Sequence, residues 1–166
     1  ALIGRLARAF PGVITGIKID PKSGEMSFGW QIVMPPFDYD LGDAGKKASN
    51  GYVFFTSYNT EKATGKLEVT STQKDRDYIA MVDWKLAEKS AAEGKGKMIG
   101  GVKVLDPKEI PGLVYFLPCG KSPHGVDVAP EGNWIVGSGK LQGVTTVFNM
   151  EKIQTAIKNK NFTGDE

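Results

Sequence analysis

His124 is the only histidine in the chain, and it stands in the run "KSPHGVDVAPEGNWIVGSGKL", Lys121 to Leu141, between a proline and a glycine. Imidazole is a good ligand for copper, zinc or nickel. One histidine cannot hold a transition metal tightly, so a ligand role for His124 requires further donors from elsewhere. The plain alternative is a structural or surface histidine. A second group is rich in oxygen: Tyr58, Asn59 and Glu61 in "SYNTE", followed by Asp75 and Asp77 in "STQKDRD". Carboxylates and carbonyls around one loop suit a hard cation such as calcium. A charged, solvated loop has the same composition, and no EF-hand spacing is present. Cys119 has neither a second cysteine nor a nearby base, and is expected to be a buried thiol rather than a nucleophile. "DYDLGD" is read as a solvated acidic loop. "AEGKGKM" lacks the strand before and the helix after that a phosphate loop needs. Trp30, Trp84 and Trp134 are read as core or strand-packing residues. With one histidine, no Ser/His/Asp set can be assembled.

The elements that would position these residues are short and β-rich. Twenty-one glycines and nine prolines punctuate apolar and β-branched runs, the pattern of an all-β fold with many turns. Strands are expected over 12–20, closed by the turn "DPKSGE", and over 26–34, stopped by Pro35 and Pro36. A polar loop is expected over 37–51. "YVFFTSYN" (52–59) is a further strand, and the almost uniformly apolar "DYIAMVDW" (77–84) is expected to be buried on both faces. A helix over "KLAEKSAAEGKG", ended by Gly94, follows from its alanine, leucine, glutamate and lysine content. Strands return over 100–106 and 112–118. "HGVDVAP", the turn "PEGN", "WIVGSGK" and "VTTVFNM" then form a strand, turn, strand, loop, strand series. A last helix, "MEKIQTAIKNKN", carries Ile153, Ala156 and Ile157 at helical spacing.

That last series is how one blade of a β-propeller is written. The chain holds about three blade-like units, too few to close a ring, and blades come in sets. With an opening "ALIGRLARAFPG" and a closing "NKNFTGDE", the chain is expected to be a fragment or processed product. The 166 residues carry 21 basic and 19 acidic side chains, a net charge of +2. That balance gives no reason to expect nucleic acid. No run approaches the roughly 20 apolar residues of a membrane span, and a single cysteine excludes a disulfide framework.

"SYNTE", "SPHGVDVAPEG" with "GSGKL", and "TTVFNMEKI" occur in that order, within a likeness running from about Trp30 to Ile153. This combination resembles the N-terminal propeller of the nitrous-oxide reductases, and "LPCGKSPHG" is more like the atypical branch of that family. The resemblance implies a mainly β fold: a partial β-propeller of about three blades from a seven-bladed ring, with two short helices, all of 1–166 belonging to the propeller domain. It implies a copper-dependent parent enzyme of denitrification that reduces nitrous oxide to dinitrogen and water. Such a parent is a periplasmic or extracytoplasmic homodimer supplied by an electron-donor protein. It further implies a tetranuclear sulfide-bridged copper cluster with His124 as one ligand, and a dinuclear copper centre outside this chain. A calcium site is implied at Tyr58, Glu61 and Asp77, with Asp75 the rival placement for the aspartate. Ser122 stands where the family commonly has an asparagine ligand, a departure at that site. The isolated chain is expected to be inactive. The rival expectation is a non-catalytic β-propeller that binds a peptide, a sugar or a partner protein.

Overall fold

The computed structural model describes residues 12–35, 37–58 and 77–162. They fall into two compact units with an interleaved chain path, one formed by 12–35 with 83–114, the other by 37–58 and 77–82 with 115–162. The first unit is built on a four-stranded sheet in the order β1, β2, β7, β6, where β1 is Val13–Ile19, β2 Met26–Val33, β6 Lys97–Ile99 and β7 Val102–Leu105. β1 and β2 form an antiparallel hairpin. Gly16 lies opposite Trp30, whose indole covers it so closely that any Cβ would collide with the ring. Helix α1, Trp84–Ala92, starts where the Asp83 carboxylate accepts the Leu86 N–H at 2.8 Å, satisfying one of the orphan donors of the first turn. It ends before Gly94, in the left-handed region at φ +80°.

The second unit holds two sheets. One has the order β3, β4, β5, β8: Asp38–Ala44, Tyr52–Tyr58, Asp77–Asp83 and Val114–Cys119. The other is an antiparallel meander of β9 (Val126–Val128), β10 (Trp134–Ser138) and β11 (Thr145–Asn149). Helix α2, Met150–Lys158, follows without a break, its first turn capped by Asn149 Oδ1, which accepts the Lys152 N–H at 3.0 Å. The core between these elements contains Phe54, Ile79, Met81, Val126, Val128, Ile135 and Met150, with Ile153 and Ile157 of α2 packed against it. Alternation puts Val126 and Val128 inside and Asp127 in solvent. β5 is buried along almost its whole length, as its unbroken apolar run required.

Among the described residues the chain is therefore mainly β with two short α-helices, and its sheets are open ones. Three expectations are corrected. The stretch 37–51 is not all loop, since Asp38–Ala44 forms β3 against β4 with a register shift between Tyr39 and Gly42, followed by a 3-10 turn at Lys47–Ser49. Strand 100–106 begins only at Val102, because Gly100 and Gly101, both at positive φ, make the turn of a β6–β7 hairpin. Trp134 is not a core residue but 44% exposed, whereas Trp30 is buried.

Gly132 closes the turn between β9 and β10 at φ +71°, donating to the Ala129 carbonyl at 2.7 Å. A Cβ there would strike the Lys46 carbonyl, while one at Gly143 would meet open space. Gly132→Ala is expected to cost about 2 kcal/mol or more, combining left-handed strain with the backbone collision. Gly143→Ala should change stability by less than about 1 kcal/mol. Urea unfolding of both variants checks the contrast.

Candidate functional site

His124 stands two residues before β9, and the chain that delivers it is tied down residue by residue. Gly120 N–H donates to Thr146 Oγ1 at 3.1 Å, and Lys121 N–H to Gln142 Oε1 at 3.0 Å. The Lys121 carbonyl accepts the Leu141 N–H at 3.2 Å, and the Ser122 carbonyl accepts the Lys140 N–H at 2.9 Å. Pro123 is buried. The His124 carbonyl accepts from the hydroxyl of fully buried Thr56 at 3.2 Å, and Gly125 N–H donates to Ser138 Oγ at 3.1 Å. Beyond it, β9 is fastened to the end of β3: Asp43 accepts the Val128 N–H at 2.9 Å, and Lys46 Nζ reaches both Asp43 and the Val128 carbonyl at 2.7 Å. Burial works to raise the Asp43 pKa, but Lys46 and the Val128 N–H together hold it below the ordinary carboxylate value.

The imidazole itself is not enclosed. Its side chain is 55% exposed, and Nε2 lies 3.5 Å from Asp40 Oδ2. Asp40, on β3, comes from the acidic run that the sequence assigned to solvated loop. Among the described residues no group of three or more histidines, cysteines or carboxylates is placed to hold a metal ion. What the chain provides is one imidazole on a fixed backbone, which fits copper only as one ligand of a larger set.

The second candidate group is only partly within view. Tyr58 ends β4, its backbone paired with that of Asp38; Glu61 and Asp75 lie outside the described residues. Asp77, the first residue of β5, is fully buried and faces the loop before His124. Its Oδ2 accepts the Ser122 N–H at 2.7 Å. The Lys121 ammonium, only 2% exposed, sits astride the carboxylate at 3.4 Å from Oδ1 and 3.3 Å from Oδ2. Sequence reasoning missed Lys121, although a lysine inside the apolar and glycine-rich run "LPCGKSPHG" was a usable signal. Ser122 takes a positive φ of 55°, uncommon for a residue other than glycine. Such a conformation costs about 1–3 kcal/mol and persists where surroundings enforce it, here through bonds at both its N–H and its carbonyl.

Calcium fits Asp77 poorly. A divalent ion on the same carboxylate would lie within a few ångströms of the Lys121 ammonium. At about 4 Å and an effective dielectric near 20, that repulsion is about 8 kcal/mol. Ser122 Oγ is buried without a hydrogen-bond partner among the described residues. It offers one neutral oxygen of the roughly six to eight that calcium takes, and the Tyr58 side chain, Glu61 and Asp75 lie outside the described residues. The same carboxylate also acts on Cys119: burial first, then the charge of Asp77, push its thiol up to about 12.

The chain matches no family model. Over 148 residues it is similar to the nitrous-oxide reductases of Pseudomonas fluorescens, at 23% identity, and Stutzerimonas stutzeri, at 24%. The likeness covers 86% of this chain but only 22% of each relative, so the chain spans about a fifth of the length of the curated relatives it matches. The relationship is distant, and it links the chain to oxidoreductases.

Two outcomes follow from the geometry. Asp77→Leu alone strands a buried ammonium and should destabilise the fold by about 3–5 kcal/mol, while Asp77→Leu combined with Lys121→Met should recover most of that loss. A double-mutant cycle by chemical unfolding measures it. Cys119 should resist alkylation at pH 8–9 in the native protein and react promptly once unfolded. Because its folded pKa is raised, its contribution to stability is intact below the ordinary thiol value of 9.0 and is lost as pH climbs towards 12. An iodoacetamide time course with and without urea, repeated across that range, tests both.

Proposed function

We propose that this chain is part of a copper-dependent nitrous-oxide reductase, about three blades of its propeller, and that His124 is one ligand of the copper cluster. The observation that carries this reading is the combination of an open imidazole with a clamped backbone, lying within the stretch similar to the two nitrous-oxide reductases. A ligand meant to meet donors from outside its own unit needs both features: a ring accessible to them and a main chain that does not move when they arrive.

Each residue then has a definite task. Proline before and glycine after His124 set the direction of its Cα–Cβ bond. Thr56 and Ser138 anchor the one peptide unit between His124 and Gly125, at its carbonyl and at its N–H. Asp40 approaches the ring and can orient it, the usual task of a carboxylate beside a metal-binding histidine. His124 is a ligand in this scheme, neither acid nor base. Bound copper would supply the electrons and the Lewis acidity for breaking the nitrogen–oxygen bond, so that nitrous oxide, two protons and two electrons give dinitrogen and water. The cupredoxin-type dinuclear copper centre, the electron-donor protein, the homodimer and the periplasmic or extracytoplasmic location belong to the same proposal. The 166 residues by themselves would be inactive. At Asp77 the charge is left to Lys121, with calcium held by Tyr58, Glu61 and Asp77 as the competing arrangement.

The test is nitrous-oxide-dependent oxidation of a reduced dye by the copper-loaded full-length protein, beside its His124→Ala variant. Activity in the parent is expected, with loss of turnover by a hundredfold or more and a lower copper content in the variant. A parent that is fully loaded with copper and still inactive would favour a non-catalytic binding propeller.

A further inference from the structure

A buried lysine head group is unusual, because the side chain is long enough to bring its ammonium to water almost anywhere on a surface. Lys121 does the reverse. Its main chain is held on both sides, by Gln142 and by Leu141, and its side chain turns inward to a carboxylate at the start of β5. Asp77 is fully buried and Lys121 2% exposed, so the pair is almost wholly removed from solvent. The ammonium offsets the charge of the carboxylate, and the Ser122 N–H donates to it as well at 2.7 Å.

We propose that Lys121 is the resident cation of this loop: its ammonium occupies the place beside Asp77 that a divalent ion would fill, and the segment leading to His124 is ordered without calcium. Two observations converge on this. The ammonium is near both carboxylate oxygens, at 3.4 Å and 3.3 Å, as a shared cation would be. The strained Ser122 is held by that same carboxylate through its N–H, so the conformation of the loop depends on the charge at Asp77 being compensated. Lysine and metal are alternatives here, since a divalent ion beside the ammonium would leave surplus positive charge in a site sealed from water. The inference rests on Asp77, Lys121 and Ser122 and does not require copper at His124.

The experiment compares the full-length protein with its Asp77→Asn and Lys121→Met variants after dialysis against EGTA. Calcium content is measured by mass spectrometry, and the thermal midpoint is recorded with and without added calcium. The wild type should keep its midpoint through chelation and retain no calcium that Asp77→Asn loses, while Lys121→Met should melt several degrees lower. A wild-type midpoint that falls on chelation, together with bound calcium that disappears in Asp77→Asn, overturns the proposal, as does a Lys121→Met midpoint equal to that of the wild type. Should Lys121→Met fail to fold, Lys121→Arg retains a cation, and the wild-type measurement decides.

Discussion

The second unit turns on one buried carboxylate. The Asp77 side chain is fully buried, and an uncompensated charge in such a place would cost several kcal/mol. Compensation comes from two consecutive loop residues, the Lys121 ammonium and the Ser122 N–H. To reach Asp77 from adjacent positions, the backbone must turn sharply, and Ser122 does so through a left-handed conformation. Pro123 then fixes the exit direction, and His124 emerges at the mouth of β9. The strand start, the loop and the histidine are therefore not independent features. They are successive results of satisfying one charge.

The apolar core supplies the rigidity that makes this arrangement meaningful. Ile79 and Met81 of β5 pack with Val126 and Val128 of β9, so the strand carrying Asp77 and the strand following His124 share a single cluster. A loop whose two ends are embedded in one close-packed core cannot drift without opening voids, which is unfavourable at interior packing density. The hydrogen bonds from Thr56, Gln142, Thr146 and Ser138 then fix details within limits already set by packing.

Much of this was legible in the sequence wherever side-chain pattern and local structure agree. The buried β5, the turn at "PEGN", the β9–β11 meander and α2 all announce themselves through alternation, glycine placement and apolar spacing. β3 did not, because "DYDLGDA" is rich in residues that strands disfavour; pairing with the strongly β-prone β4 outweighs that preference. The β6–β7 hairpin had its signal in Gly100-Gly101, which marks a tight turn more strongly than it extends a strand. The parallel pairing of β2 with β7 left no local trace, since it depends on residues far apart in the chain. At the site, the flanking proline and glycine made His124 visible. Lys121 had only the weak signal of its apolar, glycine-rich neighbours, and Asp40, inside an acidic run, had none.

The interleaved chain path also bears on biosynthesis. Gln31 of β2 pairs with Val104 of β7, and the residues between them include the first half of the other unit. During translation β2 emerges well before its parallel neighbour, by about 4–15 s at roughly 5–20 residues per second. In that interval the β1–β2 hairpin presents the open edge of β2 together with Trp30 and Ile32, side chains that are buried in the finished structure. The nascent chain thus carries a window of vulnerability to aggregation that the finished sheet, with β2 covered by β7, no longer has.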